Sequence, residues 1–406
     1  MMNMKNKAFI LILFCLGVLA CKQEETTTEK EAVSPQEFIK ENIAFSEQKY
    51  KAMLAEHTDT QQSPRTTNPD GSFKTVPPKG WTSGFYPGSL WYLYENTGDK
   101  KWEKEAKNWT APLVSIKDYT GTHDLGFMLY CSFGNGYRLN KSEDYKNYMI
   151  DGARALSTRF NPTVGLIKSW DHGDWQFPVI IDNMMNLEFM FWATKVTGDS
   201  SFQNIAITHA NTTIANHFRD DWSSFHVVDY DTLTGKSIWK GTHQGAADES
   251  AWSRGQAWGL YGFTVMYRET KEEKYLDVAN NIAEYILNHK NMPEDLIPYW
   301  DFDRPGEERD VSAAAIASSA LFELAEYVEG DQKQKYEKAA IKMLESMASP
   351  SYKAVDEKNN NFILMHSTGN KNGGKEIDVP LVYADYYFIE ALARYKNKLE
   401  GKQIYW

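Results

Sequence analysis

Three cysteines in 406 residues leave little room for disulfides. Cys15 falls in an apolar leader, and if Cys21 carries lipid, Cys131 has no partner, so stability has to come from packing. The nine histidines fall in no zinc-ligand spacing, and Asp171-His172-Gly173-Asp174 reads as a turn rather than a calcium loop. There is no glycine-rich phosphate loop and no Gly-x-Ser-x-Gly elbow, so no metal and no cofactor are implied and hydrolytic chemistry would fall to carboxylates. Positive charge is not in excess: a net charge of -11 argues against nucleic acid or a polybasic membrane surface as partner, and an anionic ligand would need a local cationic pocket. After about residue 34 no Pro/Gly/Ser-rich or single-charge stretch interrupts the chain, which predicts a single domain over 35–406.

The first residues read differently. Lys5 and Lys7 precede an apolar run from Ala8 to Ala20 that is too short to span a bilayer comfortably, which marks 1–20 as an export signal. Val18-Leu19-Ala20-Cys21 fits a lipoprotein cleavage site with Cys21 as the lipidated residue, against the alternative of a cleaved secretory signal with an incidental cysteine. Residues 21–34 then form a polar tether, in which Lys22-Gln23-Glu24-Glu25 is either a surface-export signal or a solvated linker. The expectation is an exported lipoprotein of the outer membrane, held there only through a lipid on Cys21.

Apolar residues recur at helical spacing in about twelve segments, from 35–56 to 380–398, and alternating strand-like runs are scarce. Thr97-Gly98-Asp99, Thr197-Gly198-Asp199 and Glu329-Gly330-Asp331 each predict a glycine that ends one helix and an aspartate that caps the next; Asn140-Lys141 and Thr270-Lys271 do the same without glycine. Tight hairpins of this kind, with a first and a last helix left to pair, predict an all-α (α/α)6 toroid, ahead of an open solenoid or a two-domain bundle. The connections after residues 56, 159, 217, 289 and 348 are long, and in a ring of alternating helices they share one rim, where function usually sits.

Asp124, Asp182, Asp310 and Asp378 each stand where the chain leaves that rim for an inner helix. A capping role explains any one of them. Asp124 and Asp182 have more company than capping needs: His123 precedes the first, Asn183 and Asn186 follow the second. Paired carboxylates in a cleft suit acid and base work on a sugar, provided that burial and a second carboxylate raise the pKa of Asp182 against the pull of the helix end. With 13 Trp and 23 Tyr, more aromatics are present than a helical core needs. Trp81, Trp170, Trp175, Trp222, Trp239, Trp252 and Trp258 gather near the long-loop rim, where flat rings suit sugar faces, although about half of them are expected in the core. His226, Gln244 and Arg254 lie nearby; Arg254 and Trp258, four apart on one helix face, offer a cation beside a ring, either for a uronate carboxylate or as a structural ion pair.

HDLGF, DNMMNLEFMFWA, the turn Thr242-His243-Gln244-Gly245 and WSRGQAWGLYGF together resemble the unsaturated glucuronyl hydrolases, glycoside hydrolase family 88, from about Trp81 to Arg394. The resemblance implies an (α/α)6 barrel that removes the 4,5-unsaturated uronic acid left by polysaccharide lyases on glycosaminoglycan or ulvan oligosaccharides. By matching position, Asp182 is implied to protonate C4 and then to deprotonate the water that adds at C5. Asp124 is implied as the second essential carboxylate. His226, Gln244, Arg254 and Trp258 match residues lining the uronate pocket, and Trp81, His123 and Trp252 are further expected lining. The loop 365–375 matches a region that recognises the next sugar; Ser367, Thr368 and Lys371 are read either as a sulfate site or as part of a flexible loop. Three readings compete: an unsaturated rhamnogalacturonyl hydrolase acting on pectin fragments, an inverting glycosidase on the same ring, and a glycan-binding lipoprotein without catalysis.

Overall fold

The computed structural model describes residues 33–355 and 359–405. The export signal, Cys21 and all of the tether but its last two residues lie outside the described residues. Twelve α-helices follow one another among the described residues: α1 (Pro35–Glu56), α2 (Phe85–Thr97), α3 (Lys100–Thr110), α4 (Asn135–Asn140), α5 (Glu143–Ser157), α6 (Leu187–Thr197), α7 (Ser201–His217), α8 (Ser253–Thr270), α9 (Glu273–Asn288), α10 (Val311–Leu324), α11 (Gly330–Met347) and α12 (Val382–Leu399). The even-numbered helices form an inner ring, with α8 against α6 and α10, α10 against α12, and α12 against α2 to close the circle. Their burial follows from this double contact. Every residue of α10 from Val311 to Leu324 is buried, whereas the outer α9 buries one stripe, including Tyr275, Leu276, Ala279, Ile282 and Ile286. The (α/α)6 toroid is the fold of the chain.

The turns explain the hairpins. Gly98 and Gly198 take the left-handed conformation that closes α2 and α6, and the Asp99 carboxylate accepts from Lys101 N. Where glycine is absent, Lys141 and Lys271 adopt the same left-handed backbone. The third glycine turn differs from expectation. Helix α10 ends at Leu324, and Gly330 is the first residue of α11 rather than the end of α10, with Glu329 in the cap position that Asp331 was expected to hold.

Two of the inner segments begin irregularly, both at the long-loop rim. A π-helix runs from Gly126 to Gly134 before α4, and a 3-10 helix from Ile181 to Asn186 before α6. Such wide or tight turns inside helices mark functional positions more often than plain α-helix does. Close approach of backbones holds the first in place: a Cβ on Gly84 would sit 2.3 Å from the carbonyl oxygens of Phe127 and Met128, and one on Gly126 would sit 2.5 Å from Asn186 Oδ1. The long loops also carry strands that the sequence pattern did not predict. β1 (Ser63–Thr67) pairs with β2 (Phe73–Val76), β3 (Phe160–Asn161) with β4 (Leu166–Ile167), and β5 (Pro178–Ile180), β6 (Val227–Tyr230) and β7 (Ser237–Gly241) form one antiparallel sheet in the order β5-β6-β7.

Candidate active site

The three-stranded sheet does the aligning. In register, Ile180 faces Val227 and Val227 faces Gly241. Asp182, two residues past Ile180, His226, just before Val227, and the turn that follows Gly241 are therefore delivered side by side. The Ile181 N-H donates to the His226 carbonyl at 3.1 Å and locks that arrangement. From the neighbouring inner segment, His123 and Asp124 arrive just ahead of the π-helix that begins at Gly126.

The four rim aspartates part ways here. Asp310 is a true cap, accepting from Ser312 N at 3.1 Å and from the Ser312 hydroxyl at 2.5 Å. Asp378 pairs with His366 Nδ1 at 2.6 Å and caps nothing. Asp124 takes its hydrogen bond from the Thr122 hydroxyl at 2.5 Å, and no side chain caps the 3-10 helix that carries Asp182. These two face one cleft of about 170 Å³, small against the roughly 300–1,000 Å³ of pockets for drug-sized ligands and matched to a single sugar ring.

Asp182 is 8% exposed. Burial, first of all, raises its pKa to about 7; the Arg254 charge opposes the rise, and the Asp124 charge adds to it. The expected direction holds, with burial rather than Asp124 as the main cause. Of the two histidines beside the carboxylates, His226 has its tautomer fixed by backbone donors. His226 Nδ1 accepts from the N-H groups of His243 and Gln244 at 3.0 and 3.1 Å, so its proton sits on Nε2, 3.7 Å from Asp182 Oδ2. Burial holds this imidazole neutral, its pKa well below the usual range. For His123, Nδ1 lies 3.4 Å from Asn186 Nδ2 and Nε2 lies 3.2 Å from Asp124 Oδ1, but off the line a hydrogen bond needs. Asn183 and Asn186 serve this pair rather than a cap. Asn183 Nδ2 donates to the Ile167 carbonyl at 2.7 Å, Asn186 Nδ2 to Asn183 Oδ1 at 2.7 Å, and Asn186 Oδ1 accepts from Gly126 N at 2.9 Å. One relay thus ties the Asp182 helix to the Asp124 helix.

Four buried polar atoms converge on this point without a hydrogen-bond partner: Asp182 Oδ2, His226 Nε2, His123 Nε2 and Trp258 Nε1. Trp258 N-H lowers the Asp182 pKa from close by, although the geometry stops short of a hydrogen bond. Orphaned buried groups are costly, and a cluster of them is the mark of a site awaiting a polar ligand.

Of the residues singled out from the sequence, Trp81, His123, Asp124, Asp182, Gln244 and Arg254 line the cleft. His226, Trp252 and Trp258 do not; they are buried behind its wall. Trp258 packs its ring on Phe127 and Tyr387, with centroids 5.0 and 5.4 Å away, so no face is left for a sugar. Trp252 lies between the His226 ring, 4.6 Å away, and the Arg254 guanidinium, 4.4 Å from its centroid. Arg254 thus stacks on Trp252 rather than beside Trp258. Its donors are also partly committed: Nη1 to Asp310 Oδ2 at 2.5 Å and to the Thr368 carbonyl at 2.6 Å, Nη2 to the Gly369 carbonyl at 2.6 Å.

The loop 365–375 is correspondingly fixed. Gln244 Nε2 donates to the Gly369 carbonyl at 2.8 Å, the Thr368 hydroxyl to the Arg309 carbonyl at 3.0 Å, and Ser367 is fully buried. Lys371 is clamped by Glu307, at 2.7 Å, and Glu308. Neither the flexible loop nor the Ser367, Thr368 and Lys371 sulfate site fits these contacts, because the cation is neutralised and the hydroxyls are buried. The residues that sequence reasoning missed are Arg65 and Glu376. Both line the cleft, joined by two hydrogen bonds of 2.6 and 3.0 Å, with Lys74 adding a third at 3.0 Å. Trp170, His172 and His243 complete the outer wall.

The chain was compared with known proteins. It is 43% identical to the unsaturated glucuronyl hydrolase of Formosa agariphila, over 97% of this chain and 99% of that one. It is 33% identical to the unsaturated chondroitin disaccharide hydrolase of Streptococcus agalactiae, over 82% of this chain and 85% of that one. A solved unsaturated glucuronyl hydrolase specific for heparin superposes with a TM-score of 0.86 at 47% identity, covering 90% of this chain and 99% of its own. That of Bacillus sp. GL1, responsible for the degradation of glycosaminoglycan, gives a TM-score of 0.83 at 30% identity, covering 90% and 97%. Residues 47–404 match Glycosyl Hydrolase Family 88, and the chain belongs to that family.

Proposed function

We propose that this enzyme removes the 4,5-unsaturated glucuronic acid from the non-reducing end of oligosaccharides left by polysaccharide lyases, by hydrating the C4-C5 double bond. The reading rests on one observation above all. A nearly buried carboxyl, Asp182, titrates at about 7 in a cleft sized for one sugar, with unpartnered polar atoms around it. An acid that must give up a proton and then take one back works best with a pKa near the working pH.

The proton of Asp182 goes to C4, and positive charge spreads over C5 and the ring oxygen. The Asp182 carboxylate then takes a proton from the water that bonds to C5. The resulting hemiketal opens to a ketone, which leaves C1 as a hemiacetal that expels the shortened sugar. Asp124 accepts hydrogen bonds from the uronate hydroxyls and disfavours a second negative charge beside it. Arg254 pulls the other way, favouring the carboxylate needed in the second step and an anionic ligand in the cleft. His226 stays neutral, its Nε2 3.7 Å from Asp182 Oδ2 and open to a polar group of the substrate.

The test is to follow the ultraviolet absorbance of the double bond with lyase-made fragments of chondroitin, heparin, ulvan and pectin side by side. Loss of absorbance with release of a keto acid is the expected result on glycosaminoglycan or ulvan fragments. Reducing sugar released with the chromophore intact overturns hydration in favour of an ordinary glycosidase. Export and lipidation at Cys21 are proposed from sequence alone; incorporation of labelled fatty acid, lost in Cys21→Ser, is their check.

A further inference from the structure

The inner helices enclose a second cavity, which the hydration chemistry does not use. It lies towards their far ends and measures about 530 Å³, roughly three times the 170 Å³ of the cleft, with which it shares no lining residue. Phe127 and Tyr387 line it on the cleft side. Trp258 packs against both rings, at 5.0 and 5.4 Å, and stands between the two spaces. The π-helix supplies one wall through Tyr130 and Cys131, and α6 another through Glu188 and Trp192. Tyr137 meets the Trp192 ring edge-on at 5.7 Å, and Tyr130 meets it at 6.4 Å, with all three half-buried.

The charges of this chamber are cancelled within the protein. Glu188 accepts from Arg268 at 2.5 Å, Lys195 pairs with Glu269 at 2.6 Å, and Arg138 donates to Glu95 at 2.7 Å. Glu390 accepts from Tyr92 at 2.8 Å and from Tyr261 at 3.0 Å. Lys141 is exposed, with its ammonium over the Tyr137 ring at 5.3 Å. The polarity that remains uncommitted is uncharged. Among the described residues, the hydroxyls of Tyr130 and Tyr387, the Trp192 indole N-H and the Gln403 side-chain amide line the chamber without a hydrogen bond. Tyr387 is only 2% exposed, so water reaches it poorly from outside.

We propose that this chamber is a second ligand site, apart from the catalytic cleft, which takes an uncharged sugar of about two pyranose rings. Three features select that class. A uronate carried into the ring would lose its hydration and meet cations already paired with carboxylates. A wholly apolar molecule would leave the tyrosine hydroxyls, the indole N-H and the amide unmatched, and a phenol has a single hydroxyl to offer them. A neutral sugar carries several hydroxyls around its edge, and its C-H faces suit the rings of Trp192, Tyr130 and Tyr137.

The experiment titrates cellobiose, maltose and lactose, with p-nitrophenol as an aromatic control, into the wild type, Trp192→Ala, Tyr387→Phe and Asp182→Asn by calorimetry. At least one of the three sugars should bind the wild type saturably at one site. Trp192→Ala should weaken it roughly three- to tenfold, a size typical of one aromatic contact, whereas Asp182→Asn should change it by less than about twofold. Should Trp192→Ala fold poorly, Tyr387→Phe decides, because it removes only a hydroxyl that no protein group engages; a loss of roughly threefold or more is expected. No saturable binding of any of the three sugars overturns the proposal, as does binding of p-nitrophenol alone. So does sugar binding that Asp182→Asn abolishes, which would place it in the cleft, or that both Trp192→Ala and Tyr387→Phe leave unchanged.

Discussion

Two buried polar clusters lie in the same ring of inner helices, one at their rim-side starts and one towards their far ends, and they are wired in opposite ways. In the far cluster Arg268 Nη1 donates to both oxygens of Glu323 at 3.0 and 3.1 Å, and its Nη2 to Glu188 at 2.5 Å. Arg394 donates to Glu323 at 2.9 Å, while Glu390 accepts from Tyr92, Tyr261 and Ser319. Within this set Arg394 Nε is the one unpartnered nitrogen. At the rim, by contrast, Asp182, His123, His226 and Trp258 each leave an atom unmatched. A satisfied network fixes a packing; an unsatisfied one stores an affinity for something polar that is not protein. Net burial is similar in the two, so burial alone does not separate structure from function. The pairing does.

The sharpest way to break the comparison is Asp182→Asn. It removes the proton that the chemistry needs and should lower turnover by roughly 10³-fold or more, while oligosaccharide binding by calorimetry is retained. The converse cut is Glu323→Ala, which leaves two buried guanidinium groups short of a partner. Urea unfolding should show a loss of about 3–5 kcal/mol, with kcat per folded molecule unchanged.

A smaller effect separates the clusters by pH. Because the folded pKa of Asp182 is raised to about 7 from an unfolded value near ~3.9, its stabilising protonated form is fully present at acid pH, and stability is lost as pH rises through that window. Asp182→Asn should therefore gain on the wild type, by up to roughly 4 kcal/mol, between about pH 4 and pH 8. A stability difference that is flat with pH would contradict the raised pKa. The smallest effect concerns the rate. The alkaline fall in kcat/KM should have its midpoint near 7 in the wild type, and Asp124→Asn should move it down by less than about one unit, since burial rather than the Asp124 charge dominates.

Much of the ring was legible because its signals are local. Gly98 with Asp99, Gly198 with Asp199 and the helical spacing between them are short-range facts, and they map onto the observed hairpins. Asp124, Asp182, His123 and Gln244 were found because each stands in a motif at the rim. What stayed hidden depends on distant contacts. Arg65 and Glu376 meet across 311 positions, and no spacing encodes that pairing. One local signal was there to be read: Asn68-Pro69-Asp70-Gly71 between two short polar-alternating runs is a hairpin turn, and Gly71 does take a φ of +80°. The fates of Trp252 and Trp258 were hidden for another reason. An aromatic beside a catalytic acid can present its face to substrate or stand behind the wall, and residue type is the same in both cases.

The π-helix from Gly126 to Gly134 carries a consequence for how this protein can change over time. It amounts to one residue more than an α-helix of the same length would hold. A single deletion there would let the segment relax to an α-helix, and everything on its rim side would turn by roughly 100° relative to α4. His123 and Asp124 would swing away from Asp182 with every side chain of the site intact. Point substitutions between residues 127 and 134 can be absorbed by repacking, but a change in length cannot, so the residue count of that stretch is itself a component of the proposed active site.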